Sequence, residues 1–228
     1  MGLGAQKPRT IELPGQTLPG VEQALGWLER INAGEREVLN EQKVLVLGGG
    51  DTAMDCARTA LRLGAAVTVA YRGPEARLRA SPKEVAMARE EGALLLLEHA
   101  PLECEGAGQV RGVRFNTPGG TPLVEANRVV LALGQQPDPP SWLAEFNIAT
   151  ESDGRIQVDD QGHTSHPKIW AGGDNTLGPD LAVTAMAAGR KAAEGMLVGF
   201  SLKRFSPLRG REIGNPVWRD ADRIGASP

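Results

Sequence analysis

Lys43-Val-Leu-Val-Leu-Gly48-Gly49-Gly50-Asp51-Thr52-Ala53-Met54-Asp55 is followed, one helix length later, by Ala66-Val-Thr-Val-Ala-Tyr71-Arg72. Val44 to Leu47 is a continuous run of β-branched and leucine side chains, which predicts a strand buried on both faces of a parallel sheet. Gly48 and Gly50, with Gly49 between them, allow a tight turn and a close approach of backbone to a pyrophosphate. Ala53 is small enough for a helix to pack closely on that strand. A helix opening at Asp51 and Thr52 and ending before Gly64 would aim its first amides at the phosphates. The β-branched run at 66–70 then predicts a second parallel strand. Strand, glycine turn, helix and strand together specify a dinucleotide-binding α/β unit, where the glycines alone would not.

The end of the second strand indicates which dinucleotide. An NAD site usually carries an Asp or Glu there, to accept from the ribose hydroxyls. This chain has Tyr71 and Arg72, and then Arg77. A guanidinium cannot accept a hydrogen bond but can pair bidentately with a 2′-phosphate. As plain loop cations these arginines would need no ligand; their position at the strand end predicts NADPH, with NADH still possible.

The totals exclude several classes. The chain has 228 residues, a net charge of −3, 41% hydrophobic and 23% charged residues. There is no basic surplus to recommend nucleic acid. No apolar run approaches the roughly 20 residues of a membrane span, and no charged-then-apolar leader opens the chain. These features predict a cytoplasmic protein. Cys56 and Cys104 are the two cysteines, too few for a disulfide framework or an iron–sulfur site and not a Cys-x-x-Cys redox pair. They read as packing residues. His163 and His166 have metal-ligand spacing but sit beside Pro167 with no third ligand, so no metal is expected.

Around the nucleotide unit, residues 1–20 are broken by glycine and proline turn signals and read as a connector. Val21 to Asn32 predicts an amphipathic helix, with Val21, Leu25, Leu28 and Ile31 on one face and Gly34 as its stop. Ser81 is a natural N-cap, with Pro82 at the first helical position and Glu84 placed to complete a capping box. Glu84 could equally approach a cofactor ribose. Ala93–Glu98 reads as a further buried strand, and 110–116 and 123–126 as a half-exposed antiparallel excursion. Arg128–Leu133 returns to a buried strand that stops at Gly134. Beyond it, 155–158 and 168–171 read as short strands and 180–199 as an alanine-rich helix. Residues 201–228 read as an extended tail. The expected division is a remnant of a second domain and connector at 1–20, an NADPH-binding domain at 21–133, the C-terminal part of that second domain at 134–200 and the tail at 201–228.

Thr164-Ser-His-Pro-Lys-Ile169-Trp170-Ala171-Gly172-Gly173-Asp174 is a second nucleotide signal. A strand ending in Ala-Gly-Gly-Asp places an aspartate where it can accept from sugar-like hydroxyls, ahead of another helix N-terminus. Taken with Gly-Gly-Gly-Asp-Thr-Ala-Met-Asp-Cys at 48–56, Tyr71-Arg72, Ser81-x-x-Glu84-Val85 and Leu131-Ala-Leu-Gly134, this order resembles the small (β) subunit of glutamate synthase. The flavin region of dihydropyrimidine dehydrogenase and NADPH:ferredoxin transhydrogenase-type subunits share it. The resemblance covers roughly residues 2–200.

What the resemblance implies is an NADPH-binding Rossmann-like domain, three-layered with an antiparallel β excursion, and an incomplete part of a second, FAD-binding Rossmann-like domain. Gly173 and Asp174 would hold the ribityl chain of FAD, and Leu133 and Gly134 would complete the nicotinamide dinucleotide site. The family's first flavin fingerprint and cysteine-rich iron–sulfur region are not found here, so the chain is expected to be the C-terminal portion of a longer protein. Family members usually show Tyr-Arg-Arg where this chain has Gly73 after Arg72, which leaves Arg77 to supply the second guanidinium. The implied activity passes hydride from NADPH to FAD and electrons onward to an iron–sulfur region or a redox partner subunit, with no catalytic acid, base or nucleophile on this chain. The alternative is a non-catalytic NADP(H)-binding or docking module.

Overall fold

The computed structural model describes residues 1–200; the expected extended tail at 201–228 lies outside the described residues. In chain order the elements are β1 (Lys7–Pro8), β2 (Val21–Gln23), α1 (Ala24–Asn32), β3 (Lys43–Leu47), α2 (Asp51–Arg62), β4 (Ala66–Ala70), α3 (Pro82–Glu90) and β5 (Leu94–Leu96). Then follow β6 (Ala100–Gly106), β7 (Val110–Asn116), β8 (Leu123–Glu125), β9 (Arg128–Leu131), β10 (Gln135–Gln136), α4 (Asp174–Leu177) and α5 (Ala182–Gly199).

Five strands form one parallel sheet in the order β2-β9-β3-β4-β5. The alternation within β3 explains its two covered faces, because successive side chains point to opposite sides of a strand. Val44 and Val46 join Val67, Val69 and Val130 under the helices, against Trp27 of α1, Ala53, Met54, Ala57 and Ala60 of α2, and Val85 and Ala88 of α3. Leu45 and Leu47 face the other way and join Val129 and Leu131 under the antiparallel sheet β6-β7-β8, whose Cys104, Val113 and Phe115 close that core. The result is three layers: helices, parallel sheet, antiparallel sheet. Three alanines of α2 with no exposed surface let that helix approach the strands closely.

The amphipathic reading of 21–32 needs correction at its start. Val21–Gln23 is a strand, paired in parallel with Val129–Leu131, and the helix begins only at Ala24. The apolar spacing holds for residues 24–32, but Val21, half-buried, packs against the antiparallel-side core while Trp27 turns to the helical side. A second correction concerns 155–158 and 168–171. Among the described residues these form isolated bridges, Thr150 with Ile156 and His163 with Trp170, and no ladder. Each run meets its partner at one residue pair, because the Asp159–Gly162 turn and Pro167 interrupt pairing on either side.

This last region has its own small core of Leu143, Ile148, Ile156 and Ala171, and Met1 packs against it. The Gly172 amide donates to the Met1 carbonyl at 3.1 Å, and the amino terminus donates to the Trp170 carbonyl. The first residues and residues 140–172 therefore belong to one lobe. Two chain passages connect it to the three-layer unit, and they pair with each other as β1 and β10, Lys7 opposite Gln136.

Candidate functional site

Gly48 to Thr52 lie at the carboxyl end of β3, where a parallel sheet opens a crevice between neighbouring strands. The Gly48 amide donates to the Ala70 carbonyl at 3.0 Å, and its φ of 155° leaves no room for a side chain: a Cβ there would stand 2.2 Å from the Ala132 carbonyl oxygen. A Cβ on Gly49 would meet the Tyr71 ring at 2.4 Å. Gly50, the N-cap of α2, differs. A Cβ there would face open space, and no side chain caps the helix. The first amides of α2 thus have no side-chain acceptor, the arrangement that binds phosphate through backbone donors and the helix dipole. Ala53 is fully buried against the sheet, and its amide returns to the Gly50 carbonyl at 2.9 Å.

Asp51 has a different partner from a phosphate ligand. Its Oδ1 accepts from the Ser81 amide at 2.8 Å, which joins the start of α2 to the start of α3. Ser81 caps α3 through its hydroxyl, which accepts from the Glu84 amide at 3.3 Å. The Glu84 carboxylate does not close the capping box, since Asp51 already holds the Ser81 amide. It pairs with Arg58 at 2.8 Å instead, fixing α3 on α2. The capping-box use considered for Glu84 is therefore not realised.

Arg72 and Arg77 are both exposed beyond the end of β4. Arg79 stands with them, and sequence reasoning passed over it. Its amide donates to the Gly49 carbonyl at 2.8 Å, and the Ala80 amide does so at 2.9 Å, so the loop carrying Arg77 and Arg79 is fastened directly to the glycine turn. Among the described residues none of these three guanidiniums has a carboxylate partner, whereas Arg58, Arg62, Arg89, Arg111, Arg114 and Arg128 all do. Glu75, the one acid within that loop, is taken by Arg89 of α3 at 2.7 Å, which holds its carboxyl below the usual range. The only signal for Arg79 in the sequence was its place two residues past Arg77.

The other end of the crevice is a small cavity lined by Gln23–Leu25, Thr52, Leu131–Gln135 and Pro8. Leu133 and Gly134 are part of this wall. Gly134 has φ 92°, and its carbonyl accepts from the Arg9 amide at 2.9 Å where β1 meets β10. Glycine turn, helix start, arginine loop and this cavity thus line up along the carboxyl ends of β9, β3 and β4. The residues present fit a 2′-phosphorylated dinucleotide: backbone donors for the diphosphate, unpaired guanidiniums for an extra phosphate, and a mostly apolar recess beyond.

Gly173 and Asp174 are elsewhere, in a groove lined by Met1, Gly2, Gly4, Gly172, Ala185, Gly189 and Ala192. Gly173 adopts φ 88° as the N-cap of the short α4, and Asp174 is half-buried at its first position. Among the described residues, every buried side-chain polar atom without a partner falls in this lobe: His163 Nε2, Trp170 Nε1, and both Nδ2 and Oδ1 of Asn175. Native interiors leave few such atoms. They fit a lobe whose polar contacts are completed by another group. His163 stacks on Trp170 with centroids 4.5 Å apart, and His166 Nδ1 accepts from the Lys168 amide, so the histidines serve the local packing.

Burial pushes the Cys56 thiol up to about 12 and the Cys104 thiol up to about 11. The two lie in cores on opposite faces of the parallel sheet, which prevents a disulfide between them. Among the described residues no helix is long and apolar enough to cross a membrane.

Over residues 1–189 the chain matches the family described as pyridine nucleotide-disulphide oxidoreductase. It is 39% identical to the glutamate synthase [NADPH] small chain of Halomonas elongata, over 86% of this chain and 48% of that protein. It is 43% identical to the glutamate synthase [NADPH] small chain of Escherichia coli (strain K12), over 68% of this chain and 38% of that protein. Among solved structures, thioredoxin reductase of T. acidophilum superposes with a TM-score of 0.73 at 21% identity, over 88% of this chain and 64% of that one, a likeness of fold. The chain spans about half the length, or less, of these small chains. It belongs to the pyridine nucleotide-disulphide oxidoreductase family.

Proposed function

From this membership we propose that the chain is the NADPH-binding part of a flavin-dependent oxidoreductase of the glutamate synthase small-subunit type. Residues 21–133 bind the nicotinamide dinucleotide, and residues 134–200 with the first residues contribute to a flavin site. The observation that carries the reading is a set of three arginines, Arg72 at the strand end and Arg77 and Arg79 on the loop fastened to the glycine turn, that have no acid partners among the described residues. Neighbouring Arg58, Arg62 and Arg89 are taken up in ion pairs, whereas among the described residues these three have no acid partner at the place where a 2′-phosphate would lie.

In this reading the amides at 50–52 hold the diphosphate, Arg72, Arg77 and Arg79 hold the 2′-phosphate, and Thr52, Leu133 and Gly134 wall the nicotinamide recess and exclude water. When bound, the nicotinamide supplies hydride and the flavin accepts it. Asp174 would orient the flavin's sugar chain. The onward acceptor is an iron–sulfur region or a partner subunit, and the setting is cytoplasmic. No acid, base or nucleophile of this chain is needed, since positioning and electrostatics are the protein's share.

The test is a side-by-side titration of the chain with NADPH and NADH, followed by nucleotide fluorescence. A preference for NADPH of about tenfold, roughly 1.4 kcal/mol, is the expected result. Equal affinities would remove the 2′-phosphate site, and binding of neither would remove the nucleotide site.

A further inference from the structure

Tyr71 is the one tyrosine of the chain, and it sits where three parts of the candidate nucleotide site meet. Its backbone is pinned at the end of β4: the amide donates to the Leu96 carbonyl at 2.8 Å and the carbonyl accepts from the His99 amide at 2.9 Å. From that fixed point the ring runs under Gly49, where a Cβ would lie 2.4 Å from Cδ2, and past Gly73, where a Cβ would lie 3.1 Å from Cε1. Its hydroxyl then donates to the Arg77 carbonyl at 2.7 Å. Leu78 completes the contact, with its Cδ2 2.9 Å from the same hypothetical Gly49 Cβ.

We propose that Tyr71 is a positioning residue for nucleotide discrimination, a strut that holds the arginine-bearing loop at 74–80 against the glycine turn so that Arg77 and Arg79 face a 2′-phosphate. The inference rests on the NADPH reading above. Its chemistry is simple. Arg77 lies in a single turn of 3-10 helix, Glu75–Arg77, with no side-chain cap. Such a turn is too short to fix its own orientation. The loop is therefore held from outside, at Arg77 by the phenol, at Arg79 and Ala80 by the Gly49 carbonyl, and at Glu75 by Arg89. Between the other two anchors, Leu78 packs on the core and the phenol supplies the side-chain hydrogen bond, at Arg77. Glycine at 73 belongs to the same device, since a Cβ there would press on the ring at 3.1 Å.

Holding long side chains in place before a ligand arrives lowers the ordering cost of binding. The effect should fall on the ligand group that the loop contacts, the 2′-phosphate, more than on the dinucleotide as a whole. The experiment measures dissociation constants of NADPH and NADH for the wild-type chain, Tyr71→Phe, Arg77→Ala/Arg79→Ala, and the combination. Thermal midpoints of each are recorded. The expected result is a fall of about fivefold in the NADPH-over-NADH ratio for Tyr71→Phe, and no further fall when it is added to the double arginine variant. A ratio unchanged in Tyr71→Phe, with both nucleotides weakened together or neither, overturns the positioning role and leaves the NADPH site standing. A further fall in the combined variant overturns it too, by making Tyr71 a direct contact. A wild-type chain with no NADPH preference fails the underlying reading instead. Should Tyr71→Phe not fold, Gly73→Ala, whose methyl crowds the ring, reads the same ratio.

Discussion

The amide of Arg79 and the carbonyl of Gly49 are hydrogen-bonded at 2.8 Å, so the backbone that carries a cation on one loop is tied directly to the glycine turn of another. The geometry gives Arg79 a standing equal to that of Arg72 and Arg77. Replacing Arg79 by alanine keeps this backbone bond and removes only the guanidinium. Affinity for NADPH should fall by about tenfold, near 1.4 kcal/mol, and affinity for NADH should change less. The salt dependence of NADPH binding should also weaken, because one phosphate contact is screened no longer. Equal losses for both nucleotides would place Arg79 away from the 2′-phosphate.

Gly48 and Gly50 should respond oppositely to alanine. At Gly48 the added methyl meets the Ala132 carbonyl at 2.2 Å, in a backbone conformation that disfavours side chains. Overpacking of this kind costs about 1–3 kcal/mol, and Gly48→Ala should lower the urea midpoint markedly. At Gly50 the methyl meets nothing, and the N-cap change costs no more than about 1 kcal/mol. Gly50→Ala should stay folded and lose nucleotide affinity, since its methyl enters the cradle. Equilibrium unfolding and titration on the same samples separate the two.

Glu37 sets a pH window. Burial alone would raise its carboxyl, but hydrogen bonds from Arg128 and from Trp27 Nε1, at 3.0 Å, outweigh that and hold it below the ordinary range. A carboxyl with a lowered folded pKa stabilises the fold above its unfolded value, about 4.3. That stabilisation is lost as pH falls through the lower folded value, because the unfolded chain binds the proton first. Glu37→Gln should cost about 1–3 kcal/mol near neutrality, as for hydrogen bonds to charged groups. The two stability curves should converge in acid, which urea unfolding from neutral pH downward would reveal. Parallel curves would remove Glu37 from the acid response.

The two thiols should be inert in the native state. Desolvation raises both, and Asp55 adds to the shift at Cys56. With so little thiolate near neutral pH, neither should react appreciably with an alkylating reagent until the chain unfolds. Mass spectrometry before and after denaturant reads this directly. Rapid labelling of either in the native chain would mean that its core opens.

Much of the α/β reading was legible because it rests on local periodicity. The apolar run at 44–47, the glycines after it and the run at 66–70 each need only their own residues to favour strand, turn and strand. Val21–Gln23 was misread because three residues carry too little pattern to separate a helix start from a strand; the pairing with β9 decided it. Glu84 shows the same limit for a motif. Ser81-x-x-Glu84 has the spacing of a capping box, yet Asp51, 30 residues away, claims the amide that Glu84 would have bonded.

By itself, the sequence determined that a strand ends in a glycine turn before a helix, and that Tyr71-Arg72 rather than an acid stands at the end of the next strand. Those are properties of neighbouring residues, fixed by side-chain shape and backbone freedom. Only the tertiary structure decided which arginines remain free. Ion pairing depends on what the fold brings within a few ångströms, and Arg58 and Arg89 find acids on other segments while Arg72, Arg77 and Arg79 find none among the described residues. The tertiary structure also placed the Tyr71 phenol on the Arg77 carbonyl, a contact between a strand end and a loop that no spacing rule encodes, because its geometry is set by the sheet beneath.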